Sequence, residues 1–261
     1  MKKLLFLAVT LICLASCDQG YNSFKRLLNS VLINAEAESG SLDVEKIFGG
    51  TCTYSIDTVS SGTLTITLSH SNSIQGENPN KFFADVAETF CKKLKKSKDQ
   101  YHIVVVIFVY KNKSEVKRGF LMESISLSIK KRPFVNRVIE LIKSKKYDKI
   151  DSLLNSRVAT YANMPDHSRS RMLKDLKDAD SLGVITDFYP YDFWAEHISN
   201  GTEMFELIGV ISRKNKNYDF NILVDADNKK DIIYMIINKP EGFYSHAVNY
   251  QLTKAKNTAS N

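Results

Sequence analysis

The spacing of apolar residues in the first half of the chain predicts helices that alternate with pairs of strands. Apolar residues at steps of three and four predict helices over 22–38 and 81–96. Apolar residues that alternate with polar ones, or that form dense β-branched runs, predict four strands. The strands are expected over 51–59, 63–69, 101–110 and 116–129. This half therefore predicts the order α-β-β-α-β-β, with helices on one face of a mainly antiparallel sheet.

The first predicted helix carries a single apolar stripe, which is the pattern of a helix that packs against other elements. The stripe consists of Phe24, Leu27, Leu28, Val31, Leu32 and Ala35. Asn22 or Ser23 can cap the start of this helix. Gly40 and Ser41 are expected to end it, since glycine is a poor helix former.

The second half predicts a group of helices followed by a group of strands. The helices are expected over 134–142, over 147–154, and from Asp166 or Ser168 to Leu182. The strands are expected over 184–194, 203–213, 218–225 and 231–238. Because these strands follow one another through short turns, they predict an antiparallel meander.

A change of composition at Lys130-Lys131-Arg132-Pro133 predicts a domain boundary, because proline is common in the first turn of a new helix. The chain is therefore expected to be an α+β protein of two domains, at 21–131 and 132–240. The residues 241–261 are polar and are expected to form a tail.

The N-terminal residues have the three parts of a secretory signal. Lys2 and Lys3 precede an apolar run from Leu4 to Leu14, and small residues follow it. The run is about half the length of a membrane span, which needs about twenty residues. A signal peptide is therefore predicted over 1–16.

The end of this segment, Leu14-Ala15-Ser16-Cys17, resembles the lipobox of bacterial lipoproteins. The resemblance implies cleavage before Cys17 and attachment of a diacylglyceryl group and acyl chains such as palmitate to that residue. More than one chain anchors a protein durably. Residues 17–20 would then form a lipidated cysteine and a short tether. A simple cleaved secretory signal is the alternative.

The lipoprotein resemblance implies a place in the bacterial cell envelope, outside the cytoplasm, with the membrane as a partner. No cofactor is expected other than the covalent lipid on Cys17. Asp18 resembles an inner-membrane retention signal that operates in some proteobacteria. Because that signal does not apply to all bacteria, the inner and the outer membrane both remain open.

Two of the four cysteines remain after cleavage and lipidation, namely Cys52 and Cys91. In an oxidising compartment they could form one disulfide. Two buried thiols are the favoured interpretation, because free cysteine packs as a small apolar residue. The cysteines and histidines show no spacing typical of a zinc site.

The net charge of +7 comes largely from lysines at the ends of predicted helices. They are Lys92, Lys93, Lys95, Lys96 and Lys98, and then Lys143, Lys145, Lys146 and Lys149. Cations at these positions offset the helix macrodipole, so a solvated face is the favoured interpretation. Contact with anionic lipid head groups is the alternative. Nucleic acid is not an expected partner of a protein outside the cytoplasm.

The residues from Phe134 to Lys239 resemble the NTF2-like and cystatin-like folds, in which helices precede a curled four-stranded meander. The segments that carry the resemblance are 145–150, Leu182-Gly183-Val184-Ile185, Tyr218-Asp219-Phe220 and 232–237. In NTF2-like domains the sheet curls around a helix and leaves a conical pocket. The resemblance implies that a ligand, if there is one, would lie there.

Aromatic residues on the last four predicted strands are the candidate lining of such a pocket. They are Phe188, Tyr191, Phe193, Trp194, Tyr218, Phe220 and Tyr234, with Tyr189 beside them. Core packing of the sheet is the favoured alternative. Asp187 or Asp192 could act as an acid or base, as carboxylates do in enzymes of NTF2-like form. In a regular strand these two residues face opposite sides, unless Pro190 bends or bulges the strand.

The remaining motifs do not indicate a metal, calcium or anion site. None of His70, His102, His167, His197 and His246 has a partner at metal-ligand spacing. Asp225-Ala226-Asp227-Asn228 begins like a calcium loop, but Lys229 and Lys230 then replace the required ligand and glycine. His167-Ser168-Arg169-Ser170-Arg171 could contact an anion, but a charged loop is the favoured interpretation.

Three functions are compatible with these observations. The favoured one is a non-enzymatic, membrane-anchored envelope lipoprotein that binds a protein or a small apolar ligand. The first alternative is a pocket enzyme of NTF2-like type that uses Asp187 or Asp192. The second alternative is an inhibitor or immunity-type lipoprotein that acts through strand edges or loops.

Overall fold

The computed structural model describes residues 18–57, 62–155, 169–197, 203–214, 216–226 and 231–240. These residues form five α-helices and two four-stranded sheets, so the expected α+β class is confirmed. They group into two compact units: residues up to Gln75 with Thr89–Gly119, and Gly76–Glu88 with the residues from Phe120 onward. The predicted domains at 21–131 and 132–240 differ in extent from these units and stay predictions. Cys17, the signal peptide 1–16 and the tail 241–261 lie outside the described residues.

The first elements, in chain order, are α1 (Asp18–Phe48), β1 (Thr51–Asp57), β2 (Thr63–Ser69), α2 (Asn80–Cys91), β3 (Ile103–Val109) and β4 (Glu115–Leu121). The four strands form one sheet with the order β1-β2-β3-β4. Strands β1 and β2 are antiparallel, but β2 and β3 are parallel, with Thr63 opposite Ile103. The expectation of a mainly antiparallel sheet is therefore wrong at its centre. The connection through α2 brings the chain back to the end of the sheet at which β2 began. Strand β3 therefore runs in the same direction as β2.

The fourth predicted strand ends much earlier than expected, because a helix begins at Met122. This helix, α3 (Met122–Lys143), runs through Lys130–Pro133, so the break expected there is wrong. Its buried residues recur at steps of three and four, as in Met122, Ile125 and Ser128. Pro133 lies inside the helix, where it can donate no hydrogen bond to the preceding turn. Packing of the buried face therefore outweighs the local preference for a break.

Helix α1 continues through Gly40 to Phe48, so the expected stop at Gly40 and Ser41 is wrong. Gly40 serves a different purpose. A Cβ atom built on Gly40 would lie 2.9 Å from the carbonyl oxygen of Phe90. Such a distance is shorter than atomic contact allows, so α1 can approach this backbone only because residue 40 has no side chain.

The buried face of α1 is also not the apolar stripe that was predicted to pack against other elements. Val31, Leu32 and Ala35 are exposed. The buried residues of the helix are Ala37, Gly40, Ser41, Val44 and Phe48, which lie on the opposite face. A further attachment comes from the Glu36 carboxylate, which accepts hydrogen bonds from the Ser97 hydroxyl at 2.8 Å and the Ser97 backbone N–H at 3.1 Å.

The elements after α3 are α4 (Tyr147–Leu153), α5 (Arg169–Asp178), β5 (Ile185–His197), β6 (Glu203–Arg213), β7 (Lys216–Asp225) and β8 (Ile233–Pro240). The second unit therefore contains α3 to α5, most of α2 and an antiparallel meander with the order β5-β6-β7-β8. All three strand pairs are antiparallel, as expected. Register shifts in β5, between Ile185 and Asp187 and between Pro190 and Asp192, interrupt its regular alternation. Such bulges bend a strand.

A buried carboxylate joins the segment Gly76–Glu88 to helix α3. Glu88 is only 2% exposed. Its Oε1 atom lies 2.5 Å from Nη2 of Arg132 and accepts a hydrogen bond from the Ser128 hydroxyl at 2.6 Å. The same Arg132 nitrogen lies 3.1 Å from Oδ1 of Asp85. One guanidinium is therefore shared by two carboxylates of the same segment.

Substitution of Glu88 by alanine tests this cluster. Glu88→Ala leaves Arg132 without its buried partner, so the free energy of unfolding should fall by about 3–5 kcal/mol. The matched control is Glu77→Ala, which removes the exposed ion pair to Lys81 and should change stability by less than about 1 kcal/mol. Urea unfolding followed by circular dichroism measures both. Equal effects of the two variants would contradict a special role for Glu88.

The close approach at Gly40 gives a second prediction. Gly40→Ala should lower the free energy of unfolding by about 1–3 kcal/mol, because the backbone must move away from the added methyl group. This loss outweighs the better helix propensity of alanine. Gly119→Ala is the control, since nothing lies within 4 Å of a Cβ atom built there. A Gly40→Ala protein as stable as the wild type would show that the two helices can separate freely.

Candidate functional site

The register of the second sheet divides the candidate pocket residues between its two faces. Side chains of directly opposed residues lie on the same face of an antiparallel pair. Four of the seven aromatic residues share the face that carries Leu207, Gly209 and Ile211 of β6. Phe188 and Tyr218 both pair with Ile211, Phe193 pairs with Leu207, and Phe220 pairs with Gly209.

The rings on this first face pack against one another. The rings of Phe188 and Phe220 meet edge to face, with centroids 5.7 Å apart. Phe193 stacks on Phe120 at 5.1 Å. Phe193, Tyr218 and Phe220 are buried. These residues therefore contribute to the core of the second unit, which was the favoured alternative to a pocket lining.

Gly209 explains how the Phe188 ring reaches this packing position. A Cβ atom at residue 209 would lie 2.9 Å from the Phe188 ring and 2.6 Å from the carbonyl oxygen of Tyr189. The missing side chain leaves room for the ring to lie across β6. Sequence reasoning did not identify this role, because nothing local to Gly209 indicates which ring crosses it.

The other three candidate aromatics are half-buried and occupy different positions. Trp194 pairs with Glu206, so it lies on the second face of the sheet. Tyr191 is the extra residue of the shift between Pro190 and Asp192. Tyr234 lies at the irregularity where Met235 and Ile233 pair with successive residues of β7. The structure therefore does not bring the seven aromatics together on one surface.

The shift at Tyr191 also decides the positions of the two candidate acid/base residues. Asp187 pairs with Ser212 and Asp192 with Ile208, and these partners are four residues apart on β6. The bulge expected as an exception therefore occurs, and both carboxylates fall on the second face. Their positions are nevertheless about 13 Å apart at 3.3 Å per residue. That separation is too large for one substrate bond to be flanked by both groups.

Each of these carboxylates binds its own backbone. Asp187 accepts a hydrogen bond from the N–H of Phe188 at 2.8 Å, and Asp192 accepts one from the N–H of Phe193 at 3.0 Å. Asp187 is exposed. Short-range bonds of this kind are typical of aspartate at irregular strand positions. These hydrogen bonds indicate that Asp187 and Asp192 stabilise the backbone of β5 next to its register shifts.

The second face of the sheet contains buried polar residues that the sequence did not reveal. The Asn221 side-chain amide donates a hydrogen bond to the Glu206 carboxylate, and both residues are buried. Asp219 is buried on the same face. The segment Gly76–Glu88 reaches this face, because Lys81 Nζ lies 5.3 Å from the ring centroid of Tyr189. Polar residues of β7 that alternate with apolar ones are therefore covered on this face.

A second polar cluster surrounds Arg213 at the end of β6. Its Nη1 atom donates to the carbonyl oxygen of Gly183 at 2.6 Å, while Nε and Nη2 are buried without a hydrogen-bond partner among the described residues. Burial lowers the pKa of this guanidinium, and the nearby Asp180 carboxylate acts in the opposite direction. Burial, together with Asp180, raises the pKa of the Tyr147 hydroxyl well above its usual range. These atoms are enclosed by protein, so the cluster is a structural feature rather than an open site.

Cys52 and Cys91 are both buried thiols, and they do not form a disulfide with each other. Burial raises the pKa of the Cys52 thiol to about 11. The Ser41 hydroxyl opposes this rise, and the Glu45 carboxylate adds to it. Because the thiolate is the nucleophilic form, Cys52 is poorly suited to covalent catalysis at neutral pH.

The histidines and the other motifs show no assembled site. His70 lies next to Ser69, with its Nδ1 atom 3.2 Å from the hydroxyl. Arg169 pairs with Asp151 and Arg171 with Asp175, so neither guanidinium is unpaired. Within the described ranges, no three histidine, cysteine or acidic residues are grouped as metal ligands. His167, His246, Asp227 and Asn228 lie outside those ranges, and the side chain of His197 is also not described.

None of the described helices is both long enough and apolar enough to cross a membrane.

The state of the two thiols gives a testable prediction. In a chain with Cys13→Ser and Cys17→Ser, iodoacetamide at neutral pH should modify neither Cys52 nor Cys91 while the protein is folded. Both should react after unfolding in urea, because burial and the raised pKa of Cys52 then no longer apply. Mass spectrometry counts the modified thiols. An unfolded protein without reactive thiols would instead indicate a disulfide.

The same pKa shift predicts a pH dependence of stability. The folded state disfavours the Cys52 thiolate, so the contribution of this group is complete below the ordinary thiol pKa of 9.0 and is lost as the pH rises through about 11. Cys52→Ala should reduce the loss of stability over that interval. If the free energy of unfolding depended on pH in the same way in the wild type and in Cys52→Ala, the raised pKa of Cys52 would be contradicted.

Comparison with protein-family models, with curated protein sequences and with solved structures found no match for this chain. The resemblances to bacterial lipoproteins and to NTF2-like folds rest on the residues quoted above.

Proposed function

We propose that this protein is a non-enzymatic lipoprotein of the bacterial cell envelope, anchored through a lipid on Cys17, that binds a protein or a small apolar ligand. The Leu14-Ala15-Ser16-Cys17 segment supports the anchor. That segment carries the proposal, and helix α1, which is described from Asp18 onward, follows it in the chain.

Residues 18–20 of the proposed short tether are helical, as part of α1. The first buried side chain in the described part of α1 is Ala37. At 1.5 Å per residue, about 28 Å of helix separates Asp18 from that point. A helical connection of this kind is semi-rigid.

A binding role is supported over catalysis by the chemistry of the described residues. The two candidate carboxylates, Asp187 and Asp192, are far apart on β5 and each binds a neighbouring backbone N–H. The Cys52 thiol is held in its protonated form. Within residues 18–240, as far as they are described, no metal-ligand cluster is present. We therefore assign the two α+β units a binding function.

The second unit is the proposed NTF2-like or cystatin-like part of the protein. Helices α3 to α5 followed by the meander β5–β8 support this assignment. The half-buried Trp194, Tyr191 and Tyr234 are the candidate contacts for an apolar ligand. The outer strand β5 offers an edge to a protein partner, which is how an inhibitor or immunity-type protein would bind. The other outer strand, β8, is already bridged at Ile233 by Leu154.

Substitution of Cys17 tests the anchor. Cells that express the wild-type chain should incorporate labelled palmitate into it and retain it in the membrane fraction. Cys17→Ser removes the attachment thiol, so label and membrane retention should both be lost. Cys13→Ser is the matched control, because it replaces a cysteine of the predicted signal peptide and should change neither result.

Two outcomes would contradict the proposal. Retention of the label in the Cys17→Ser protein would place the lipid elsewhere. Cleavage and release of an unlabelled wild-type chain would favour a simple secretory signal. Cross-linking in membranes, followed by identification of proteins that purify with the wild-type chain but not with Cys17→Ser, tests the binding role separately.

A further inference from the structure

Strand β4 is an outer strand of the first sheet, and most of it is exposed. The exposed residues include Glu115, Val116, Lys117 and Gly119. An outer strand has backbone N–H and C=O groups on one side that no neighbouring strand receives. Such an edge can be extended by one further strand, which is a common way for a sheet to bind a peptide.

The opposite edge of the same sheet is closed at Cys52 by helix α1. The Cys52 backbone N–H donates to the Glu45 carboxylate at 2.8 Å, and the Cys52 carbonyl oxygen accepts a hydrogen bond from the Ser41 hydroxyl. Side chains of α1 therefore take the place of a further strand beside β1. Among the described residues, Lys117 and Gly119 of β4 have no hydrogen bond of this kind.

The turn before β4 determines which of its backbone groups face outward. The Tyr110 backbone N–H donates to the Ser114 carbonyl oxygen at 3.0 Å, so Ser114 faces β3. Successive residues of a strand direct their N–H and C=O groups to opposite sides. Glu115, Lys117 and Gly119 therefore direct these groups away from β3, toward the outer side of the sheet.

The exposed side chains at this edge are mainly basic. Lys111, Lys113 and Lys117 are exposed, and Glu115 is the one acidic residue between positions 110 and 121. None of the three lysines forms an ion pair with another described residue. Opposite charges on neighbouring strands attract each other. An extended segment with acidic side chains therefore complements this edge.

A second copy of β4 is a poorer partner for the same edge. Antiparallel pairing of the whole strand, Glu115–Leu121, with its own copy places two copies of Arg118 opposite each other, with Lys117 beside them. Like charges that lie directly opposite on two strands are destabilising. Lysine on an outer strand is also a common means of preventing edge-to-edge pairing. The charges that disfavour self-pairing thus favour an acidic partner.

We infer that the outer edge of β4 binds an extended, acidic segment of a partner protein, which joins the first sheet as an additional strand. Backbone hydrogen bonds to Lys117 and Gly119 hold the segment, while Lys111, Lys113 and Lys117 select acidic side chains. This inference rests on the proposed protein-binding role, and it specifies the surface and the chemistry of the partner. It does not depend on the lipid at Cys17.

The test uses the full chain with Cys17→Ser and a fluorescent peptide as long as β4, in which glutamate alternates with valine. Fluorescence anisotropy should show saturable binding of this alternating peptide. A peptide with lysine in place of glutamate should not bind, because its charge is the same as that of the edge. A peptide with proline in place of valine keeps the negative charge but cannot complete the backbone ladder, so it should not bind either.

Substitutions at the edge separate the contribution of charge from that of the backbone. Lys117→Glu should raise the dissociation constant of the alternating peptide by about fivefold, because an attraction is replaced by a repulsion. Lys149→Glu makes the same change of charge at an exposed residue outside the first unit and should leave binding unchanged. Gly119→Pro removes an outward N–H and should weaken binding, whereas Gly119→Ala keeps that group and should not.

Amide hydrogen exchange, measured by nuclear magnetic resonance, locates the bound peptide without any substitution. In the free protein, the N–H groups of Lys117 and Gly119 should exchange faster than that of Val116, which faces β3. The alternating peptide should slow exchange at Lys117 and Gly119, because both then donate to the added strand. This measurement decides the matter even if Gly119→Pro fails to fold, which circular dichroism would show.

Three results would overturn the inference. One is the absence of saturable binding of the alternating peptide, and another is equal binding of the proline peptide, which would indicate charge attraction alone. The third is a Cys17→Ser dimer that Gly119→Pro dissociates, because the edge would then be a contact between two copies. The anchor fails separately, if palmitate labelling is absent from the wild type while the alternating peptide still binds.

Discussion

An ionised carboxylate in a protein interior must be paired, because the loss of its hydration costs several kcal/mol. Glu88 meets this requirement with the Arg132 guanidinium and the Ser128 hydroxyl. Ser128 and Arg132 are four residues apart and reach one carboxylate because α3 is helical across 128–132. This pairing joins the segment Gly76–Glu88 to α3. Together with the buried face of the helix, it stabilises α3 on the N-terminal side of Pro133.

In the first unit the corresponding constraint is the approach of α1 to the Phe90 backbone at Gly40. A glycine within a helix costs about 1 kcal/mol relative to alanine, and here the cost is offset by close packing. The consequence is an unusual use of the helix. Ala37, Gly40 and Val44 face the protein, while Val31 and Leu42 face outward. The buried face thus determines which apolar residues of α1 remain exposed.

In the meander of the second unit, one extra residue in β5 changes which face of the sheet carries a candidate acid/base residue. The register shift at Tyr191 puts Asp192 on the same face as Asp187 and leaves Phe193 in the core beside Phe120. The buried Glu206 and Asn221 lie on the face opposite the aromatic core. Both faces of the sheet are therefore covered. The two candidate acids, Asp187 and Asp192, do not form a pair that lines a cleft.

By itself the sequence determined the α+β class, the order of most elements, the antiparallel meander and the lipobox resemblance, because these depend on local spacing. It could not determine the start of α3 at Met122, since Ile125, Leu127 and Ile129 alternate as in a strand. Nor could it determine the parallel pairing of β2 with β3, the buried face of α1 or the roles of Glu88 and Gly209. Those features depend on contacts between residues distant in sequence, such as Gly40 with Phe90 and Glu88 with Arg132. Only the tertiary structure decided them, because local spacing shows that a helix or strand has an apolar face but not which partner, if any, covers that face.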